Sequence, residues 1–333
     1  MRAWQYSSTK GGLEKNLKIN PSAPLPKPKP DQHLIRITIV SLNPVDYKPA
    51  EVTGVARFAA GFPATPGIDF AGIIAVPAAK SSLKVGQRVF GSAGSSPVAG
   101  GALAEYALAG TKATAVLPTH PGVEDVDGCT VGVAGLTAYQ SIVPNVKEGD
   151  RIFINGGSGG TGVFGLQFAK AVGCHVTTTC STPNIDFCKG LGADKVIDYR
   201  KENVLQVLKA EGKVFDHVVD NIGNDQQLIW HCHEFNKQDA KYVVVGGSPS
   251  LATLGDILKR KFLPDWAGGV KGNVVGFFPE QKTEDLSRIA EWMREGKVKA
   301  VVDQKFGFEE AVQAFEKLKT GRARGKIVVD VAN

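Results

Sequence analysis

The chain has 333 residues, 43% of them hydrophobic and 22% charged, and its 39 Lys and Arg against 33 Asp and Glu leave a net charge of +6. That balance belongs to a globular protein with room for two domains, and it excludes a disordered or fibrous chain. No apolar run approaches the ~20 residues of a bilayer span, no basic stripe marks nucleic-acid binding, and "MRAWQYSSTKGG" has no apolar secretory stretch. The expectation is a cytoplasmic protein without membrane or nucleic-acid partners, whose modest basic excess suits phosphorylated ligands. The five cysteines, Cys129, Cys174, Cys180, Cys188 and Cys232, are odd in number and form no C-x-x-C pair, so reduced thiols are expected.

Up to about residue 120 the text consists of short β-branched runs broken by Pro and Gly: "HLIRITIV" (33–40), "FAGIIAV" (70–76), "GQRVFGS" (86–92) and "ALAEYALA" (102–109). This predicts a mostly β domain. "PSAPLPKPKP" carries five prolines in ten residues and reads as a stiff extended connector. From 121 to about 270, strand patterns alternate with helical ones. "RIFIN" (151–155), "HVTTT" (175–179), "KVID" (195–198), "DHVVD" (216–220) and "KYVVVG" (241–246) are separated by segments such as "VFGLQFAKAV" and "NVLQVLKAEG". Alternation of this kind predicts right-handed βαβ units and a parallel sheet covered on both faces. Two amphipathic helices, "EDLSRIAEWMREGKV" and "FEEAVQAFEKLKTG", precede a closing strand "GKIVVDV".

The run "INGGSGGTGVFG" (154–165) is half glycine. It follows a strand and opens a helix, and Gly157, Gly159 and Gly162 satisfy G-x-G-x-x-G. Such a turn lets backbone approach a pyrophosphate at the positive end of a helix. The whole loop, Gly157, Ser158, Gly159, Gly160, Thr161 and Gly162, is therefore the candidate dinucleotide cradle. An NAD site usually places Asp or Glu about 20 residues on, yet no acidic residue occurs from Val163 to Ile185. The expected coenzyme is NADP(H), with Ser181 and Thr182 near its 2′-phosphate and Lys195, Tyr199 or Arg200 supplying charge. Asp220 and Asn221, at the end of "DHVVDN", either touch the coenzyme or form a turn. His231, Cys232 and His233 fall in a predicted helix, where neighbours at i and i+2 do not share a face, so no metal site is expected there.

"SLNPVDYK" (41–48), "TPGIDFAG" (65–72), "VGQRVFG" (85–91), "GALAEYAL" (101–108), "GLTAYQS" (135–141), "VKEGDRIFINGGSGGTG" (146–162), "GADKVIDY" (192–199), "VVVGG" (243–247) and "GRARGKIVVD" (321–330) occur together in order. With them the sequence resembles the zinc-free quinone oxidoreductase and enoyl reductase branch of the medium-chain dehydrogenase/reductase superfamily. The resemblance implies an α/β protein with a GroES-like catalytic domain (1–120), a Rossmann doubly wound NADP-binding domain (121–270) and a C-terminal segment (271–333) returning to the first. In zinc-dependent relatives a Cys and a His hold the catalytic metal; here those positions are Asn43 and Ile68, and no cysteine precedes Cys129, so no metal is expected. By the same motifs Asn43 and Thr137 are expected near the nicotinamide, Gly246 and Gly247 should admit it closely, and Phe277 and Phe278 should wall its pocket. Tyr47, with Asp46 as its neighbour, either donates the proton that completes reduction or packs on the substrate while water supplies it.

The expected function is NADPH-dependent reduction of an activated C=C bond or a quinone without zinc, on a small conjugated carbonyl. The alternatives are a stand-alone enoyl reductase taking its substrate from an acyl carrier or as a coenzyme A thioester, with "LKRK" (258–261) as a docking patch, or a non-enzymatic NADPH-binding protein. Monomer and homodimer are both open.

Overall fold

The computed structural model describes residues 1–52, 61–94, 96–246 and 269–332. The chain divides into two compact units, Met1–Leu136 with Glu280–Asn333, and Thr137–Pro279.

In the first unit β1 (Ala3–Gln5) pairs with β2 (Lys18–Asn20). The proline-rich run joins β2 to β3 (Gln32–Leu42) without helix or strand, as prolines lacking an amide hydrogen require. Then come β4 (Asp69–Val76), β5 (Arg88–Ser92), β6 (Tyr106–Gly110) and β7 (Thr114–Val116). The 102–109 pattern becomes strand only from Tyr106, because the amides of Ala102 and Leu103 are drawn off to the carbonyls of Gly67 and Pro66.

The second unit supplies β8 (Arg151–Asn155), β9 (His175–Cys180), β10 (Lys195–Asp198), β11 (Phe215–Asp220), β12 (Asn236–Val244) and β13 (Asn273–Gly276), all parallel. Their spatial order is β10-β9-β8-β11-β12-β13. This is the doubly wound order whose direction reverses between the first and fourth strands, here β8 and β11, and ligands bind outside the carboxyl ends at that reversal. Alternating residues of β8 serve two apolar layers: Ile152 and Ile154 pack with Leu166, Val176 and Val219, while Phe153 packs with Phe215, Phe235 and Tyr242. The helix Gly160–Val172 ends at Gly173, whose φ of +95° suits glycine.

The chain then returns to the first unit through β14 (Val302–Phe306) and β15 (Lys326–Asp330), giving a seven-stranded sheet β14-β15-β3-β4-β5-β7 with β6 on β3. Its core gathers Tyr6, Ile35, Phe70, Phe308, Phe315 and Ile327. The divisions between units fall after Leu136 and Pro279 rather than after residues 120 and 270. The reason is packing: the short helix Asp125–Gly128 and the π-helical turn Val131–Gly135 lie on β4 and β5, and a Cβ on Gly132 would come within 2.4 Å of Asp69. Among the described residues no helix is long and apolar enough to cross a membrane.

Candidate functional site

In the second unit the glycine-rich turn leaves β8 at the sheet reversal. Gly156, outside the G-x-G-x-x-G spacing, is the residue that takes φ +82°, and this positive angle makes the turn possible. The three motif glycines differ in what they do. A Cβ on Gly157 would sit 2.2 Å from Thr178 Oγ1, and one on Gly162 would sit 2.2 Å from the Gly156 carbonyl, whereas one on Gly159 has nothing nearer than 3.6 Å. Gly157 and Gly162 are thus required by the chain's own packing, and Gly159 leaves room above the turn. Behind it the helix Gly160–Val172 opens with first-turn amides of Gly160, Thr161 and Gly162 that lack intrahelical acceptors, a site for an anion. These residues fit the pyrophosphate of a dinucleotide. Replacing Gly162 by Ala is expected to cost about 1–3 kcal/mol in urea unfolding, because the obstructing atoms are backbone. Gly159→Ala is expected to unfold within about 0.5 kcal/mol of the parent, so equal losses in the two variants would refute this division of roles.

On the neighbouring turn, Asn184 Nδ2 donates to Ser158 Oγ at 3.2 Å and to Ser181 Oγ at 3.3 Å, joining two predicted residues through one the sequence did not single out. Thr182 points elsewhere. Its hydroxyl donates to Asp198 Oδ2 at 2.6 Å, and this bond is the main cause holding the Asp198 pKa below its usual range. Lys195 is ion-paired with Glu211 at 2.8 Å, while Tyr199 is 55% exposed at the end of β10. Thr137 is buried. Gly246 does make a close approach, but to this chain: the space of its Cβ is filled by the Asn221 carbonyl at 2.0 Å. Phe277 packs on the β8–β9 apolar layer, and Phe278 is 91% exposed. Gly247 and the 258–261 run lie outside the described residues.

In the first unit, antiparallel pairing of β15 with β3 sets Ile327 opposite Leu42 and so brings Lys326 to Asn43. Lys326 Nζ donates to Asn43 Oδ1 and, at 3.2 Å, to the Leu42 carbonyl; Asn43 Nδ2 donates to Asp69 Oδ2 at 2.8 Å. The Asn43 backbone N–H also donates to Asp46 Oδ2 at 2.6 Å, closing the turn Pro44–Asp46. Asn43, Asp46, Asp69 and Lys326 are all buried. Burial raises the pKa of both carboxyls, opposed in each by the Lys326 charge and reinforced in Asp46 by the charge of Asp69, and burial lowers the pKa of Lys326, opposed by the two carboxyls. Asn43 and Asp46 are therefore occupied within the fold. No hydrogen bond links Asp46 to the Tyr47 hydroxyl, whose charged neighbours are Lys319, Glu51 and Glu14.

Tyr47 itself is half-buried. Lys319 Nζ lies over its ring, 5.2 Å from the centroid, and is gripped by Glu14 and, at 2.5 Å, by Glu51. Burial pushes the Tyr47 hydroxyl pKa up, which keeps the phenol protonated. For a metal the donors do not fit: Ile68 has none, the amide of Asn43 is held by an ammonium and a carboxylate, and the Lys326 charge repels a dication. No group of three metal-ligating side chains occurs among the described residues. The His231–Cys232–His233 segment is not the helix expected, since the helix ends at Trp230 and a tighter turn follows; the two rings stack at 6.4 Å, with His231 bonded to Glu234. A groove of about 670 Å³ in the first unit, lined by His33, Lys80 and Thr283, contains none of the residues predicted for the site.

Two family models match the chain, an alcohol dehydrogenase GroES-like domain over residues 29–121 and a zinc-binding dehydrogenase over residues 191–329. A trans-enoyl reductase, pgmF, of Aspergillus terreus is 46% identical, spanning 99% of this chain and 96% of that protein. A chloroplastic quinone-oxidoreductase homolog of Spinacia oleracea is 33% identical over 99% and 98% of the two chains. Among solved structures, the quinone oxidoreductase of Coxiella burnetii superposes with a TM-score of 0.85 at 30% identity, covering 99% of each chain.

Proposed function

The chain belongs to the quinone oxidoreductase-like branch of the medium-chain dehydrogenase/reductase superfamily, and from that premise we propose that it is a metal-independent, NADPH-dependent enoyl reductase acting in trans. It is an oxidoreductase of activated C=C bonds or quinones. The finer assignment to an enoyl thioester presented by an acyl carrier is carried by one observation: identity to the trans-enoyl reductase is 46%, against 33% to the quinone-reductase homolog, over the same 99% of the chain.

NADPH, when bound, supplies the hydride. Gly157 to Gly162 and the first turn of the following helix would hold its pyrophosphate. Preference for NADPH over NADH is supported by the absence of any acidic residue from Val163 to Ile185 and by the Ser158–Asn184–Ser181 grouping of neutral polar side chains. The substrate's conjugated carbonyl accepts the developing charge, so no Lewis acid is required, in keeping with an ammonium rather than ligands at Asn43. Tyr47 holds a proton on Oη at neutral pH and is the group assigned to protonate the reduced product.

Oxidation of NADPH and NADH at 340 nm is the test, with crotonyl-coenzyme A, a crotonyl pantetheine thioester, an enal, an enone, a benzoquinone and a saturated aldehyde as acceptors. Thioesters are expected to give the highest kcat/KM, with NADPH preferred by about tenfold or more and the saturated aldehyde inert. Preference for enal, enone or quinone would instead assign a small-molecule reductase.

A further inference from the structure

Asp220 ends β11 and is fully buried. Its carboxylate accepts from four donors: Oδ1 from Asn155 Nδ2 at 2.8 Å, Ile222 N at 3.0 Å and Gly223 N at 2.9 Å, and Oδ2 from the Tyr242 hydroxyl at 2.8 Å. Because a carboxylate only accepts, the Asn155 amide must turn its Nδ2 toward Asp220 and its oxygen away. That oxygen accepts from the Thr179 hydroxyl at 2.6 Å, and Thr179 Oγ1 in turn accepts from Gly156 N at 2.8 Å. The three bonds Gly156 N to Thr179, Thr179 Oγ1 to Asn155 and Asn155 Nδ2 to Asp220 all donate in one direction, toward the carboxylate.

We propose that Asp220 is a positioning residue for the coenzyme, locking through Asn155 and Thr179 the one amide from which the glycine-rich turn starts. The inference rests on the reading that this sheet edge binds NADPH. Its geometry is specific to that edge. Asn155, Thr179, Asp220 and Tyr242 stand at or near the carboxyl ends of β8, β9, β11 and β12, four adjacent strands that straddle the reversal of the sheet. Gly156, at φ +82°, is the turn's left-handed point, and its amide is the chain's first donor. On the opposite side Asp220 also fixes Ile222 and Gly223, so both loops flanking the reversal answer to one carboxylate. A buried carboxylate surrounded only by N–H and O–H donors is costly to desolvate, yet a fold needing only packing would place an apolar side chain there. The saturated acceptor instead sets loop geometry, and loop geometry governs how well the coenzyme seats.

The experiment is NADPH titration by fluorescence, with thermal unfolding and steady-state kinetics, on the whole chain and three variants. Asp220→Asn puts an N–H against a donor and is expected to weaken NADPH binding by about tenfold, with kcat at saturating NADPH and the acceptor KM within about twofold of the parent. Thr179→Val breaks the chain at its far end without touching Asp220 and is expected to weaken binding in the same sense; it decides the matter if Asp220→Asn fails to fold. Tyr242→Phe leaves the chain to Gly156 intact, and its Kd should stay within about twofold. Folded Asp220→Asn or Thr179→Val protein with parental Kd, or a fall in kcat at constant Kd, overturns the proposal. A parent chain that binds no NADPH overturns both this inference and the reading it rests on. Tight binding without reduction of any acceptor removes only the substrate assignment.

Discussion

Lys326→Met is expected to lower stability by about 3–5 kcal/mol at pH 8, the range for removing one partner from a buried ion cluster. Methionine retains much of the apolar stem, so the loss reports the ammonium. Without it Asp46 and Asp69 share a buried site with no cation, and the Asn43 oxygen loses its donor. The sign of the pH dependence follows from the carboxyls. Their folded-state pKa values, already raised by burial, rise further in the variant. Stability on their account is present below the unfolded-state pKa of about 4 and is lost as pH climbs through the raised value. The deficit should therefore narrow when urea unfolding is repeated at pH 5. A deficit independent of pH, or smaller than about 1 kcal/mol, would show that the cluster does not carry charge as described.

Tyr47→Phe is expected to reduce kcat for the enoyl thioester by about 10²-fold or more, the usual contribution of a positioned acid, with NADPH Kd unchanged. The ring remains over Lys319 in the variant, so packing is conserved and only the hydroxyl is lost. Because burial raises the phenol pKa, the acid stays loaded throughout the neutral range, and kcat should fall on its account only at a pH above that at which an ordinary tyrosine ionises. A rate unchanged by the substitution assigns the proton to water and leaves Tyr47 as a packing residue.

The glycine-rich turn was legible because its signals are local: an apolar strand, a glycine spacing and a helical period in one short stretch. The fold class, alternating text after a β-rich half, was legible for the same reason. What the motif did not reveal is that Gly156, outside it, takes the positive φ, nor that Gly246 accommodates the Asn221 carbonyl. Asn184 and Asp198 carry no pattern that separates them from ordinary turn and strand-end residues, yet they decide where Ser158, Ser181 and Thr182 point.

By itself the sequence determined the parallel α/β unit, the glycine-rich turn between strand and helix and the family, since periodicity and turn chemistry act over a few residues and the motifs occur in order along the chain. Only the tertiary structure decided which polar side chains are withdrawn from solvent and whom they meet. Lys326 reaches Asn43 across 283 residues because β15 pairs with β3, and Asp220 reaches Asn155 across 65 because β11 lies beside β8. Those neighbours are set by sheet order and register, and the burial they impose makes an ammonium the counter-ion of one site and a carboxylate the anchor of the other.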